Sequence, residues 1–143
     1  SEEIDAMFDT YEIGAYTFML LSLLYPNLKY SQKGFHQDHM HPYAGFEESK
    51  IANLKLPDGS IIDDVRKDEW RRRRNTLANL QLLEGRENER KNATPLVDWI
   101  KVIANSENAK YMPSDSSFEL SHFEDFMDKR QKLMSDALKA ILL

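Results

Sequence analysis

Apolar positions follow two different rhythms along the chain. In residues 2–24, Ile4, Met7, Phe8, Tyr11, Ala15, Phe18 and Met19, with the small Ser22, keep three- and four-residue steps, which align one face of a helix. Glu2, Glu3 and Asp5 suit the positive end of its dipole, and Pro26 with Asn27 ends it. The stretch predicts one helix, more apolar and therefore more buried towards its C-terminal end. At the other end, Phe123, Phe126, Met127, Arg130, Leu133, Met134, Ala137 and Ile141 repeat the same steps. They predict a helix from about His122 to Ala140, opened by a Ser121-x-x-Glu124 capping box. A third helix, to about Ala104, carries Leu96, Trp99, Ile100 and Ile103 on one face, with Thr94 as N-cap and Pro95 at the first helical position.

Between these helices the apolar runs shorten. Residues 28–35, where Tyr30 and Phe35 flank Gly34, read as a loop entering a strand over Phe35 to Asp38, and Pro42 stops regular pairing. Leu77-Ala78-Asn79-Leu80-Gln81-Leu82-Leu83 is bounded by polar residues, and its length favours a strand, broken at Gly85. Residues 43–61 have few periodic apolar positions. Pro57-Asp58-Gly59-Ser60 is a turn, because Pro pre-sets φ and Gly accepts a positive φ, so a small hairpin is expected inside an irregular insertion. Residues 62–74, with Val65 and Trp70, read as a helix ending in Arg71-Arg72-Arg73-Arg74, followed by a turn at Asn75 and Thr76. Residues 86–93 are almost wholly polar and suit a short helix; residues 105–117 suit a polar loop. The outline is helix, strand, insertion, strand, short helix and two packing helices, with no internal repeat.

Composition narrows the function classes. The 143 residues suit one domain and one main core. Without cysteine there are no disulfides or thiolate metal sites, which fits a reducing cytoplasm. The run Ala15 to Tyr25 is too short to span a bilayer, and no basic segment precedes it as a signal peptide requires. No membrane partner is expected. A net charge of −5 argues against general electrostatic binding of nucleic acid, although phosphate contact depends on local charge. The chain begins at Ser1 without an initiator Met, and an amphipathic segment follows within a few residues, so it is expected to be a fragment of a longer protein.

The candidate chemistry gathers at His36-Gln37-Asp38-His39-Met40-His41-Pro42, which holds three of the four histidines. A carboxylate suits a hard cation such as Mg²⁺ or Mn²⁺, and a neutral imidazole beside it can take a proton near pH 7. Adjacent strand residues point to opposite faces, so Asp38 and His39 serve one site only where the strand ends or bends. Two other readings stand beside this one: an exposed polar turn, and a zinc site built from His36, His39, His41 and Asp38. Asn79 is an amide in an apolar run, costly unless its hydrogen bonds are made. Asn88 and Lys91 share one helix side, where an amide oxygen can join a hard-metal site and a lysine can hold a phosphate. The same segment also reads as a solvated charged helix. Arg71 to Arg74 could track a phosphate backbone, or pair with Asp63, Asp64, Asp68 and Glu69 along a helix face.

Taken together, Asp38-His39-x-x-Pro42, Asn79, Asn88 nine positions later and Lys91 three beyond resemble the HNH nuclease motif. The likeness extends to Leu20-Leu21-Ser22-Leu23-Leu24-Tyr25-Pro26 ahead of Phe35-His36-Gln37-Asp38-His39, to Asn79-Leu80-Gln81-Leu82-Leu83-Glu84-Gly85, and to Phe123-Glu124-Asp125-Phe126 with Arg130. These resemble the C-terminal nuclease domain of GmrSD-type restriction proteins. The chain departs from compact HNH domains in the thirty-nine positions between His39 and Asn79, filled by an insertion at about 43–76, and in Met40-His41 after the Asp-His pair.

The resemblance implies an α+β, mainly helical fold over residues 1–143: a ββα-metal (His-Me finger) core with the insertion, packed by N- and C-terminal helices. It implies a metal-dependent DNA endonuclease of a prokaryotic, cytoplasmic restriction or anti-phage system. Asp38 and Asn88 would be ligands of one Mg²⁺ or Mn²⁺, His39 the general base, and Asn79 the buttress of the loop carrying it. Lys91, with Arg86 and Arg90, would hold substrate phosphates. His36 and His41 are alternates for the ligand or base. Target choice and any NTP dependence would belong to an N-terminal partner domain outside this sequence. A non-catalytic docking domain and an RNA-directed nuclease toxin are the competing functions.

Overall fold

The computed structural model describes residues 2–30 and 34–143; residues 31–33 of the expected 28–35 loop lie outside them. In chain order the helices are α1 (Glu2–Thr10), α2 (Ala15–Leu24), α3 (Glu48–Ile51), α4 (Asp64–Arg73), α5 (Gly85–Lys91), α6 (Leu96–Ile103) and α7 (Phe123–Leu142). Two strands, β1 (Phe35–His39) and β2 (Leu80–Glu84), form an antiparallel sheet with Phe35 opposite Glu84 and His39 opposite Leu80. The fold is α+β and mostly helical. α5 follows β2 directly and packs on both strands.

The single helix expected over 2–24 is two helices. The break is held by tertiary contacts. Glu12 bridges to Thr76, the Thr17 hydroxyl donates to the Glu12 carbonyl, and the Gln37 side chain of β1 bonds both the N–H and the carbonyl of Gly14 at 3.1 and 2.9 Å. The Glu12 carbonyl and the Gly14 N–H, which would have continued the helix, are thereby satisfied elsewhere, while the Gly14 carbonyl also opens α2 by accepting from the Phe18 N–H at 2.9 Å.

The expected strand over 77–83 also divides. Leu77–Asn79 is a 3₁₀ turn, and pairing begins only at Leu80. Gly85 ends the strand as expected, by opening α5.

Both expected helix caps are replaced. The Thr94 hydroxyl donates to the Lys91 carbonyl instead of capping α6, which has Pro95 at its cap position. Ser121 and Glu124 form no box, because the Glu124 carboxylate is taken by Arg66 and, at 3.2 Å, by the Trp70 indole N–H.

The segment 43–76 is built into the core. It holds a 3₁₀ turn at Tyr43–Phe46, α3, a bridge between Lys55 and Ile61 around the positive-φ Gly59, and α4. Its Phe46, Ile51, Leu56, Ile62 and Trp70 are buried in one cluster with Ile4 and Phe8 of α1, Leu20, Leu21 and Leu24 of α2, and Phe123, Phe126 and Met134 of α7. Burying one such side chain contributes about 1.5–3 kcal/mol, so this segment carries a share of the stability that a loop excursion would not.

Arg130 of α7 is fully buried, with no carboxylate partner among the described residues. It donates through Nη1 to the carbonyls of Ala78 and Leu80, at 2.7 and 2.9 Å, and through Nη2 to the Tyr25 hydroxyl at 2.6 Å. Those two carbonyls flank Asn79, so α7 fixes the point where the 3₁₀ turn enters β2. No helix among the described residues is long and apolar enough to cross a membrane.

Candidate active site

β1 pairs with β2 as far as His39, and the Met40 N–H donates to the Asn79 carbonyl at 2.7 Å, one step further in the same register, where Asn79 leaves the strand for its 3₁₀ turn. At this strand end the two neighbours reach one space. Asp38 and His39 both line a cavity of about 220 Å³, together with Pro42, Tyr43, Ala44, Lys91, Asn92 and Ala93.

His39 is held by Asn75. Its Nε2 lies 2.8 Å from Asn75 Oδ1. A carboxamide oxygen only accepts, so the neutral imidazole carries its proton on Nε2 and keeps the Nδ1 lone pair for a proton. Burial pushes the His39 pKa down, against the Asn75 bond and the Asp38 charge, which push it up. A lowered pKa keeps the ring neutral, as a base must be, at neutral pH.

Asn79 sits in the 3₁₀ turn just before β2, fully buried, and staples the loop after His39. Its Oδ1 accepts from the His41 N–H at 2.9 Å; its Nδ2 donates to the His41 carbonyl at 3.1 Å and to the Arg74 carbonyl at 2.9 Å. The cost of burying this amide is met on both its polar ends. It joins the segment bearing His39 to the segment bearing Asn75, the arrangement expected of a loop buttress.

Asp38 is gripped from two sides through one oxygen. Lys91 Nζ lies 3.1 Å and Gln81 Nε2 3.0 Å from Asp38 Oδ2. Gln81 is directly across the sheet, and its own Oε1 accepts from Asn108 at 2.8 Å, which also donates to the Leu82 carbonyl. Asp38 Oδ1 has no hydrogen-bond partner among the described residues.

Lys91 is bonded within the fold, to Asp38 and to the end of β1. It is 1% exposed and also donates to the His39 carbonyl at 2.7 Å, so its charge is spent on positioning both Asp38 and His39. Burial pushes its pKa down, and Asp38 pushes it up.

Asn88 stands on α5 one turn before Lys91, half-buried, outside the residues lining the cavity. Its carboxamide has no hydrogen-bond partner among the described residues. Asp38 and Asn88 are both hard oxygen donors, the type that suits Mg²⁺ or Mn²⁺ when water and phosphate oxygens complete the shell. Among the described residues no three His, Asp or Glu side chains converge to hold a metal ion, so the zinc reading of the histidine cluster is not formed.

The two alternate histidines are placed away from this chemistry. His36 is exposed on β1 beside Gly85. His41 is 2% exposed, packed edge-on to Phe123 and Phe126 at 5.5 and 4.8 Å between ring centroids, and burial pushes its pKa down to about 3. It is a neutral core ring.

The arginine run is mostly paired. Arg71 meets Glu48 and the Phe46 carbonyl, Arg72 meets Glu69, and Arg73 meets Asp128. The expected helix-face pairing thus holds for Arg72, whereas Arg71 and Arg73 reach the insertion and α7. Arg74 has no acidic partner among the described residues; its guanidinium lies 3.5 Å over the Tyr43 ring. Arg86 and Arg90 are exposed on α5.

Asn75, Gln81, Asn108 and Tyr43 are the site residues that pattern reading did not find. Each is a single polar or aromatic side chain whose importance arises from a partner distant in sequence. A buried Gln81 in an apolar run was the one available signal, of the same kind that marked Asn79. No protein-family model matches this chain, and no curated protein matches it.

Proposed function

We propose that the chain is a metal-dependent phosphodiesterase acting on DNA, an HNH-type endonuclease in which β1, β2 and α5 form the ββα-metal unit. The observation that carries this reading is that His39, held by Asn75, lines one cavity with Asp38, while Asn79 staples the loop after His39. A base with a fixed tautomer next to a carboxylate is what activation of a water for attack on phosphorus requires.

His39 Nδ1 takes the proton of the attacking water. Asn75 fixes the ring and stabilises the imidazolium that forms. Lys91 and Gln81 hold Asp38 by one oxygen and leave the other for a ligand. Asp38 and Asn88 would hold one Mg²⁺ or Mn²⁺, which supplies Lewis-acid stabilisation of the developing phosphate charge when bound. The reading includes a role in restriction or phage defence, with target choice made by a further domain.

Plasmid nicking with Mg²⁺ or Mn²⁺ tests it. Wild type converts supercoiled plasmid to nicked circles, His39→Ala loses about 10²-fold or more, the scale of a lost general base, and Asn88→Ala loses nicking through weakened metal binding. Equal nicking by His39→Ala removes His39 as the base. One observation favours a second reading, a docking domain without catalysis: Lys91 already neutralises Asp38 at 3.1 Å. Absence of nicking with either metal, in this chain and in the full-length protein, selects that reading. An RNA substrate in parallel separates a nuclease toxin from a DNA enzyme.

A further inference from the structure

Tyr43 lines the Asp38–His39 cavity, and it is 54% exposed. Its ring is nonetheless held in place. The Arg74 guanidinium covers one face at 3.5 Å from the centroid, and the His39 ring meets it edge-on at 5.7 Å. Arg74 in turn belongs to the segment that Asn79 and Asn75 tie to His39. A solvated tyrosine with neither contact would lose rotamer freedom on meeting a ligand; this ring has lost it already.

Arg74 is also the member of the arginine run without an acidic partner among the described residues. The cavity therefore combines a fixed, accessible ring with an uncompensated cation close behind it. That pairing is the general means by which proteins hold unpaired nucleotides: the base stacks on an aromatic face and the cation attracts the adjoining phosphate. Stacking needs a base that is not already stacked between neighbours in a duplex.

We propose that Tyr43, backed by Arg74, is a base-stacking platform beside the scissile position, so that the cleft takes a phosphodiester next to an unstacked base, in a single strand, a gap or a flipped nucleotide. The proposal rests on the nuclease reading of the cavity. It assigns Tyr43 a substrate-binding role and gives that role a substrate preference.

Fluorescence anisotropy with labelled single-stranded oligonucleotides in EDTA reads binding without cleavage. Tyr43→Leu keeps an apolar side chain under Arg74 and is expected to weaken binding about five- to a hundred-fold, the range of one lost base stack. Tyr43→Phe keeps the ring and is expected to bind like wild type. On an oligonucleotide of abasic sugar-phosphate units, wild type and Tyr43→Leu should bind equally, because there is no base to stack. A Tyr43→Leu chain that binds the normal strand as tightly as wild type overturns the platform, as does an equal loss on the abasic strand, which would mean a structural role. If wild type also nicks plasmid, those results leave the nuclease reading standing. A wild type that neither binds nor nicks overturns both.

Discussion

His39 Nε2 and Asn75 Oδ1 lie 2.8 Å apart, joining the end of β1 to the turn after α4 across thirty-six positions of sequence. The bond decides which ring nitrogen is free. Removing it also removes a contact that favours the charged ring, so Asn75→Ala lowers the His39 pKa further, whereas Asn75→Asp raises it by adding a negative charge. Proton NMR titration of the His39 ring in the two variants checks the opposite signs without any substrate. In nicking assays the acid limb of the pH profile, where the base becomes neutral, moves the same way.

Asn79→Ala removes three hydrogen bonds from a fully buried side chain and leaves the His41 N–H and carbonyl without their partners. A loss of about 2–3 kcal/mol follows from orphaned buried groups. Hydrogen exchange locates the effect: the His41 amide exchanges faster, while the Met40 amide, bonded to the Asn79 backbone carbonyl, is less affected.

Lys91→Ala distinguishes a positioning lysine from a phosphate ligand. A surface phosphate ligand would weaken DNA binding and leave stability unchanged. Lys91 is 1% exposed and Asp38 11% exposed at the side chain, so its loss strands a nearly buried carboxylate and costs about 3 kcal/mol. Urea denaturation of the variant measures it, and an unchanged midpoint would return Lys91 to the substrate.

His41 makes the fold acid-sensitive. Its pKa is about 3 in the folded chain against an ordinary 6.5. Above 6.5 the ring is neutral in both states and contributes nothing to the pH dependence. Below it the unfolded chain binds a proton that the folded chain does not, so stability falls as pH drops from 6.5 towards 3, by at most about 1.4 kcal/mol per pH unit. His41→Leu flattens that part of the stability curve relative to wild type, read as unfolding midpoints across pH 4–7.

Arg130→Met keeps the volume of the side chain and removes the donors to the Ala78 and Leu80 carbonyls and to the Tyr25 hydroxyl. Three buried acceptors left without donors cost about 3 kcal/mol or more. A thermal shift of the variant checks the magnitude. Because the two carbonyls flank Asn79, nicking activity should fall even under conditions where the variant stays folded.

Much of the architecture was readable from periodicity. α6, α7, β1 and the hairpin at Gly59 follow from local apolar spacing or turn residues, and α4 and the polar α5 from their charged composition and the residues that bound them. Asn79 was readable for a chemical reason, since an amide in an apolar run must be paired. The break between α1 and α2 was not, because Gln37 and Thr76, which hold it, lie far along the chain. Neither was the position of the insertion in the core, because Phe46, Ile51 and Trp70 are too widely spaced to make a helical face together.

The sequence by itself determined the pairing of Asp38 with His39 and the need of Asn79 for partners. Local chain geometry and the chemistry of single side chains were enough for both. Only the tertiary structure decided which residues complete the cavity. It put Asn75 on His39, Gln81 and Lys91 on Asp38, and Arg74 on Tyr43, and it moved His41 into the core. Each of these depends on burial and on contacts between distant segments. The same residue type serves a site or a core according to what the folded chain packs against it, and local spacing carries no record of that.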